Sequence, residues 1–456
     1  MIVMKFGGTS VKNAEAIRNV INIAKNRNTK SVVVVSAFAT VTNSLVKIID
    51  SLKNDVNFAL EEINKLQILH QNVANDLDIS SEVNEFISLE FERFKMLATA
   101  INIIGEVSNK SKDLILSYGE RLSLKIISIY AKNSGLNSKF VNSSEIIITD
   151  DSFTEAEVDF EATETVIKFK VLPIFNDFDV LICGGFIAGT IDGIITTLGR
   201  GGSDYSAGII AAALEAELLD IYTDVDGILT TDPNLIKNAK LIKKLSYIEA
   251  SELAYFGAKV LHPKTIFPAV KKNIEVRVLN SFNPHCDGTR IIGIKTNQNA
   301  LKAIAFRKGI TVINITSNRM LGAYGFLSKV FEVFKKHETS VDLVSTSEVS
   351  VSLTIDNKFN ADKIIQELSE FSSIEFFDNK AIISVIGEGI RNTSGISARF
   401  FGILKDINIY MVSMGASEIN LSIVVDEDNL KNAVVLLHDE FFSNELDSSI
   451  FEEIKR

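Results

Sequence analysis

Lys5-Phe6-Gly7-Gly8-Thr9-Ser10 stands where an apolar strand gives way to a helical pattern. Two adjacent glycines let the backbone turn tightly and come close to a ligand. The helix start behind them offers free N–H groups and positive dipole potential, and Lys5 adds a mobile cation. These parts suit a phosphate, although a Gly-Gly pair at a strand–helix turn also serves purely as a turn. It is not a Walker loop, because the GxxxxGK[ST] spacing is absent. Gly199-Arg200-Gly201-Gly202-Ser203-Asp204 is a second such stretch, leading into a helix at Tyr205-Ser206-Ala207. Small residues there leave backbone N–H groups facing a ligand. Arg200 has the planar fork that grips a carboxylate, and Ser203 can donate to a substrate oxygen. Asp204 reads locally as a helix N-cap.

Three further stretches carry polar groups. Tyr118-Gly119-Glu120 reads as the opening of a helix, where an acid ordinarily offsets the dipole; in a pocket for an amino acid, Glu120 suits the ammonium. Tyr222-Thr223-Asp224-Val225-Asp226-Gly227 follows an apolar strand, and strand ends are where open α/β sheets bind ligands. Phe256-Gly257-Ala258-Lys259-Val260-Leu261-His262-Pro263 places Lys259 at a helix end, where a cation also balances the dipole.

The elements that must position these groups follow a strand–helix–strand rhythm. Ile2–Phe6 and Ser31–Ser36 read as buried strands. Between them, Asn13–Asn26 has helical spacing of Ala16, Ile17, Val20, Ile21 and Ala24. That order implies a parallel sheet with a crossover helix. Thr42 to Asp113 reads as mostly helical, and a further helix as running from Tyr118 toward Lys132. Lys139–Val141, Val180–Cys183, Asp220–Thr223 and Val276–Leu279 read as strands, with helices over Asp204–Leu219 and Ile248–Phe256. The first domain is placed at 1–295. Beyond a polar stretch, 303–380 and 381–456 each read as a βαββαβ module of about 70 residues, ferredoxin-like and in tandem. The 303–315 strand can belong to either.

Bulk composition agrees with a soluble, multidomain globular protein: 456 residues, 46% apolar and 23% charged. A net charge of −11 disfavours nucleic acid as a general partner. Two distant cysteines and five scattered histidines offer neither a disulfide framework nor a metal site. No signal peptide and no membrane-length apolar run is read, so a cytoplasmic location and no membrane partner are expected.

Taken together, KFGGTSV (Lys5–Val11), VVVVSAFATVTNSL (Val32–Leu45), SYGERLS (Ser117–Ser123), GFIAGTIDGIITTLGRGGSDYSA (Gly185–Ala207), YTDVDGILTTDP (Tyr222–Pro233), FGAKVLHP (Phe256–Pro263) and SVDLVSTSEVSVSLT (Ser340–Thr354) resemble, in order and end to end, the aspartate kinases of the amino-acid kinase superfamily. The closest likeness is to single-function enzymes with C-terminal ACT domains. The resemblance implies an α/β fold: an αβα-sandwich kinase domain followed by two ferredoxin-like ACT domains. It implies transfer of the γ-phosphoryl group of ATP to the side-chain carboxylate of L-aspartate. Lys5, Gly7 and Gly8 would meet the transferred group, and Ser36 and Thr42 would line the substrate site. Glu120 would take the aspartate ammonium and Arg200 its α-carboxylate. Ser203 and Asp204 would flank the phosphoryl path, with Asp204 organising Lys5 or the metal. Thr223, Asp224 and Lys259 would serve ATP, and Mg²⁺ would bridge phosphate oxygens through few protein ligands. Thr40 occupies a place where the family usually has Gly.

The tail resembles the lysine-sensitive type. Met320, Ala323, Gly325, Phe326 and Leu327 match its effector loop, and Val341 and Asp342 its effector strand, with Asp342 facing an effector ammonium. Ala323 stands where that pattern has a hydroxyl residue. The resemblance implies pairing of ACT domains into a homodimer or tetramer, and an effector that is lysine rather than threonine.

Overall fold

The computed structural model describes residues 1–257, 261–293, 301–317, 320, 324–356, 360–443 and 447–453. They form two compact units, Met1–Ile228 with Val260–Ile294, and Leu229–Lys259 with Lys295–Arg456.

The first unit is built on seven strands: β1 (Ile2–Phe6), β2 (Ser31–Val35), β3 (Ser138–Val141), β4 (Val180–Gly184), β5 (Leu218–Thr223), β6 (Glu275–Asn280) and β7 (Thr289–Ile292). Their spatial order is β7-β6-β5-β1-β2-β4-β3. All pair in parallel except β7, which runs antiparallel to β6. Val32, Val33, Val34 and Val35 have no exposed surface, as a strand covered on both faces requires. Each such side chain contributes roughly 1.5–3 kcal/mol of burial. Helix α1 (Ala14–Asn26) makes the β1–β2 crossover. Its buried stripe is Ala16, Ile17, Val20, Ile21 and Ala24, and Asn13 caps it by accepting from the Ala16 N–H at 3.0 Å.

Four helices fill the stretch before β3: α2 (Val41–Ser51), α3 (Val56–Asp76), α4 (Ser80–Ile104) and α5 (Asn109–Asn133). The last corrects the sequence reading, since it starts nine residues before Tyr118. Ser108 caps it by accepting from the Ser111 N–H at 3.1 Å. Glu120 therefore sits deep inside a helix and does not offset an N-terminal dipole. A second correction concerns α6 (Gly202–Ala213), whose N-cap is Gly201 and not Asp204. It ends at Ala213 because β5 already begins at Leu218.

In the second unit one antiparallel sheet has the order Val344–Thr346, Ser350–Ile355, Leu301–Thr316, Ser373–Gly387, Asn420–Asp426, Ile409–Met414. Ser340–Leu343 precedes the short strand at Val344. One continuous strand, Ser373–Gly387, runs across the 380/381 boundary read between the two modules. Its partner Leu301–Thr316 is shared: Thr311–Thr316 also pair with Ser350–Ile355, whereas Ala303–Arg307 pair with Ile382–Ile386. Helices Phe326–Lys336 and Ala361–Ser369 cover the first half, Ile396–Ile403 and Leu430–Phe442 the second. Among the described residues no helix is long and apolar enough to cross a membrane.

Candidate active site

The parallel strands β1 and β2 end side by side, and the loops leaving them are tied together. The Ser36 N–H donates to Phe6 O at 3.2 Å, and the Gly7 N–H to Tyr222 O at the tip of β5, also at 3.2 Å. At these strand ends lies a cleft of about 540 Å³ whose walls include Lys5, Gly8, Ser36, Thr42, Glu120, Arg200, Ser203 and Asp204. Eight residues from four stretches of sequence thus converge. Lys5 and Asp204 make the closest polar contact, with Nζ 2.6 Å from Oδ1 and both side chains largely buried. That oxygen has no hydrogen-bond partner of good angle, so the contact is an ion pair and not an aligned hydrogen bond.

Glu120 projects from α5. Only 3% of it is exposed, and its Oε2 is buried with no hydrogen-bond partner. Burial pushes its carboxyl up to about 8, and the Ala37 backbone opposes this only in part. The helix can approach so closely because residue 119 is glycine: a Cβ there would stand 2.8 Å from the Ala37 Cβ. Ser123, one turn on, donates to Ser36 O at 2.9 Å and locks the helix to the β2 loop. A buried orphan carboxylate oxygen is expensive unless a donor or cation arrives.

Arg200 stands exposed at the cleft edge, between glycines with φ of 71° and 74° at Gly199 and Gly201. Those left-handed conformations swing the loop so that α6 begins with Ser203 and Asp204 facing the cleft. Thr40 is also left-handed, with φ 70°, at the start of α2. A β-branched residue is strained there, which is why glycine suits the position.

Gly7, Thr223 and Asp224 do not line this cleft. They occupy the adjoining tips of β1 and β5, where Thr223 Oγ1 donates to Asp224 Oδ1 at 3.2 Å. Lys259 and Ala323 lie outside the described residues.

Other cleft walls were not anticipated: Phe38, Thr154, Glu155 and Phe186. Thr154 is held by Asp113, a buried carboxylate that accepts from the Thr154 N–H at 3.0 Å, the Thr197 N–H at 2.9 Å and the Thr197 hydroxyl at 2.7 Å. Burial raises the Asp113 carboxyl and those bonds lower it. A single Asp near the start of α5 gives no local sign of such a duty.

In the second unit, Asp342 Oδ1 lies 2.7 Å from Arg307 Nη1 and accepts from the Tyr255 hydroxyl at 3.0 Å. Its Oδ2 is buried and unpartnered. Gly325 precedes helix Phe326–Lys336, and Met320, Phe326 and Val341 pack on the core of this half while Leu327 is exposed.

Residues 1–280 match the family model of the amino acid kinase family, and residues 313–369 and 383–441 match that of the ACT domain. The chain is 37% identical to aspartokinase 3, chloroplastic, of Arabidopsis thaliana, over 99% of this chain and 83% of that protein. It resembles the crystal structure of E. coli aspartokinase III in complex with aspartate and ADP (R-state), with a TM-score of 0.85 at 34% identity, over 97% of this chain and 100% of that one. The same enzyme in complex with lysine and aspartate (T-state) gives a TM-score of 0.83 at 34% identity, over 97% and 99%. With its converging cleft and these matches along its whole length, the chain belongs to the aspartokinase family, an amino acid kinase domain followed by ACT domains.

Proposed function

We propose that the chain transfers the γ-phosphoryl group of ATP to the side-chain carboxylate of L-aspartate, giving 4-phospho-L-aspartate. The observation that carries this reading is the cleft itself, where Lys5, Arg200 and the unpartnered carboxylate of Glu120 face one space. Glu120 meets the aspartate ammonium and Arg200 its α-carboxylate, while Ser36, Thr42 and Ser203 line the rest. The side-chain carboxylate is already ionised at neutral pH and needs no base. The chemical demand is instead to hold two anions together, which depends on positioning and positive charge. Lys5 supplies that charge, and Asp204 keeps its ammonium in place.

ATP is proposed along Gly7, Gly8, Thr223 and Asp224, at the tips of β1 and β5, and Lys259 is assigned to its phosphates from the family resemblance. Mg²⁺ would arrive with the nucleotide. Among the described residues no group of three or more His, Cys, Asp or Glu could hold a metal, and this donor set fits an ion bound by phosphate oxygens and water. Asp204 is the carboxylate assigned to its neighbourhood. The functional division proposed is 1–295 for catalysis and 303–380 and 381–456 for regulation. An amino-acid effector, lysine before threonine, is assigned to Met320, Ala323, Gly325, Phe326, Leu327, Val341 and Asp342. Pairing of ACT domains with a second copy and a cytosolic location complete the reading.

The test is initial rate with MgATP, trapping the acyl phosphate as hydroxamate. Aspartate should react and glutamate should not. Arg200→Ala should raise the aspartate KM or lower kcat by at least about tenfold, because a charge-assisted pair is lost, with little change in ATP binding. Equal rates with both amino acids, or a normal aspartate KM in the variant, would refute the assignment.

A further inference from the structure

Ser281 follows β6 directly and is fully buried, yet it contributes to no wall of the cleft. Its contacts join three separate segments of the first unit. Its N–H donates to Thr223 O at 2.9 Å, and its hydroxyl donates to the same carbonyl at 3.1 Å. Its Oγ is also 2.9 Å from Ser10 Oγ, a buried contact between residues 271 apart in sequence. A hydroxyl has one proton; when that of Ser281 goes to Thr223 O, Ser10 donates to Ser281. The Ser281 carbonyl in turn accepts from Asn19 Nδ2, on α1. Neighbouring residues brace the same junction. Asp226 Oδ1 accepts from Asn280 Nδ2 at 2.8 Å and Asn283 Nδ2 at 3.1 Å, which fixes the turn after Asp224.

Ser10 closes the glycine loop, in the turn Gly8–Val11, and Thr223 is the last residue of β5. One side chain thus sets how far the glycine loop stands from the Thr223–Asp224 tip. We propose that Ser281 is a positioning residue for the nucleoside triphosphate, holding in register the two backbone segments that flank its phosphates. This rests on the nucleotide reading of Gly7, Gly8, Thr223 and Asp224. Ser10 and Ser281 are buried, so loss of the Ser281 hydroxyl leaves Ser10 without its acceptor and Thr223 O, at the part-buried end of the junction, with one bond fewer.

The experiment is steady-state kinetics on the full chain with Ser281→Ala, Ser10→Ala, the double variant and Asp224→Ala, each with a melting temperature. Ser281→Ala should raise the KM for MgATP about tenfold while the KM for aspartate moves less than about twofold, since one buried hydrogen bond is at stake. Ser10→Ala should do the same, and the double variant should be no worse than the poorer single, because both lose one shared bond. A lower melting temperature with both KM values unchanged, or strictly additive effects, would reduce Ser281 to a structural residue and overturn the proposal. Asp224→Ala separates the two levels. If it raises the KM for MgATP and Ser281→Ala does not, this inference falls alone; if it leaves that KM unchanged, the nucleotide reading falls and takes the inference with it.

Discussion

A carboxylate with nothing to bind is the most telling single group in this protein. Glu120 is buried in α5, its Oε2 has no partner, and its carboxyl is raised to about 8 by desolvation. Near pH 7 it is largely protonated, and an arriving ammonium would draw the proton off. Aspartate binding should then release up to about one proton at pH 7, seen as a calorimetric enthalpy that varies with the ionisation heat of the buffer. Glu120→Gln should abolish both the release and most of the affinity; a buffer-independent enthalpy in the unaltered protein would rule Glu120 out. Stability carries the opposite sign. The folded value lies above the unfolded one, so the protonated fold is favoured, and this contribution is full below about 4.5 and lost as pH rises through about 8. The Glu120→Gln variant lacks that loss, so its melting temperature relative to the original should climb between pH 5 and 9. Asp113 shows the other fate of a buried carboxylate, satisfied by three donors and left with a purely structural duty.

At the scale of elements, the close approach of α5 to the loop after β2 shapes the aspartate side of the cleft. Gly119 is costly inside a helix by about 1 kcal/mol relative to alanine. It is retained where a Cβ would meet Ala37 at 2.8 Å, next to cleft residues Ser36 and Phe38. Gly119→Ala should therefore improve helix propensity and still fail to raise the melting temperature, because the loop must move. The aspartate KM should rise by about tenfold, the scale of a displaced polar contact, and by more than the KM for MgATP. A variant that is more stable and kinetically normal would show that the approach has no functional weight. Behind the same loop, His70 lies fully buried with its ring 5.1 Å from Phe38, and burial lowers it to about 4. Being neutral across the working range, it acts as an apolar plate under the cleft wall.

For the whole molecule, the proposed function puts chemistry in the first unit and effector response in the second. Asp342 is not a solvent-facing strand end. Arg307 and Tyr255 hold one of its oxygens, and the other is buried without a partner. A ligand ammonium can complete it, and any effect on rate must come from unequal affinity for two arrangements of the protein. Lysine should lower the initial rate, threonine and methionine much less, and Asp342→Asn should shift the lysine response by about tenfold or more, the weight of a charge-assisted contact. Rates indifferent to lysine in the unaltered chain would remove lysine as effector.

Much of this was legible in one dimension, for reasons of chemistry. Strands β1 and β2 and helix α1 announce themselves because apolar period and capping are local properties. Lys5, Arg200 and Asp204 stand out because glycine-flanked charges at strand–helix turns have few other uses. What the chain order could not decide is how side chains meet across it. Local pattern started α5 at Tyr118 and made Asp204 a cap; tertiary contacts moved Glu120 to mid-helix and gave Asp204 to Lys5. Asp113 with Thr154, and Ser10 with Ser281, are pairs of ordinary residues with no local signature. They become specific only when folding removes water from both partners and makes an unpaired polar atom costly. Residue type and spacing thus determined the elements and the kind of chemistry; burial in the folded chain decided which groups are charged, which are satisfied and which still wait for a ligand.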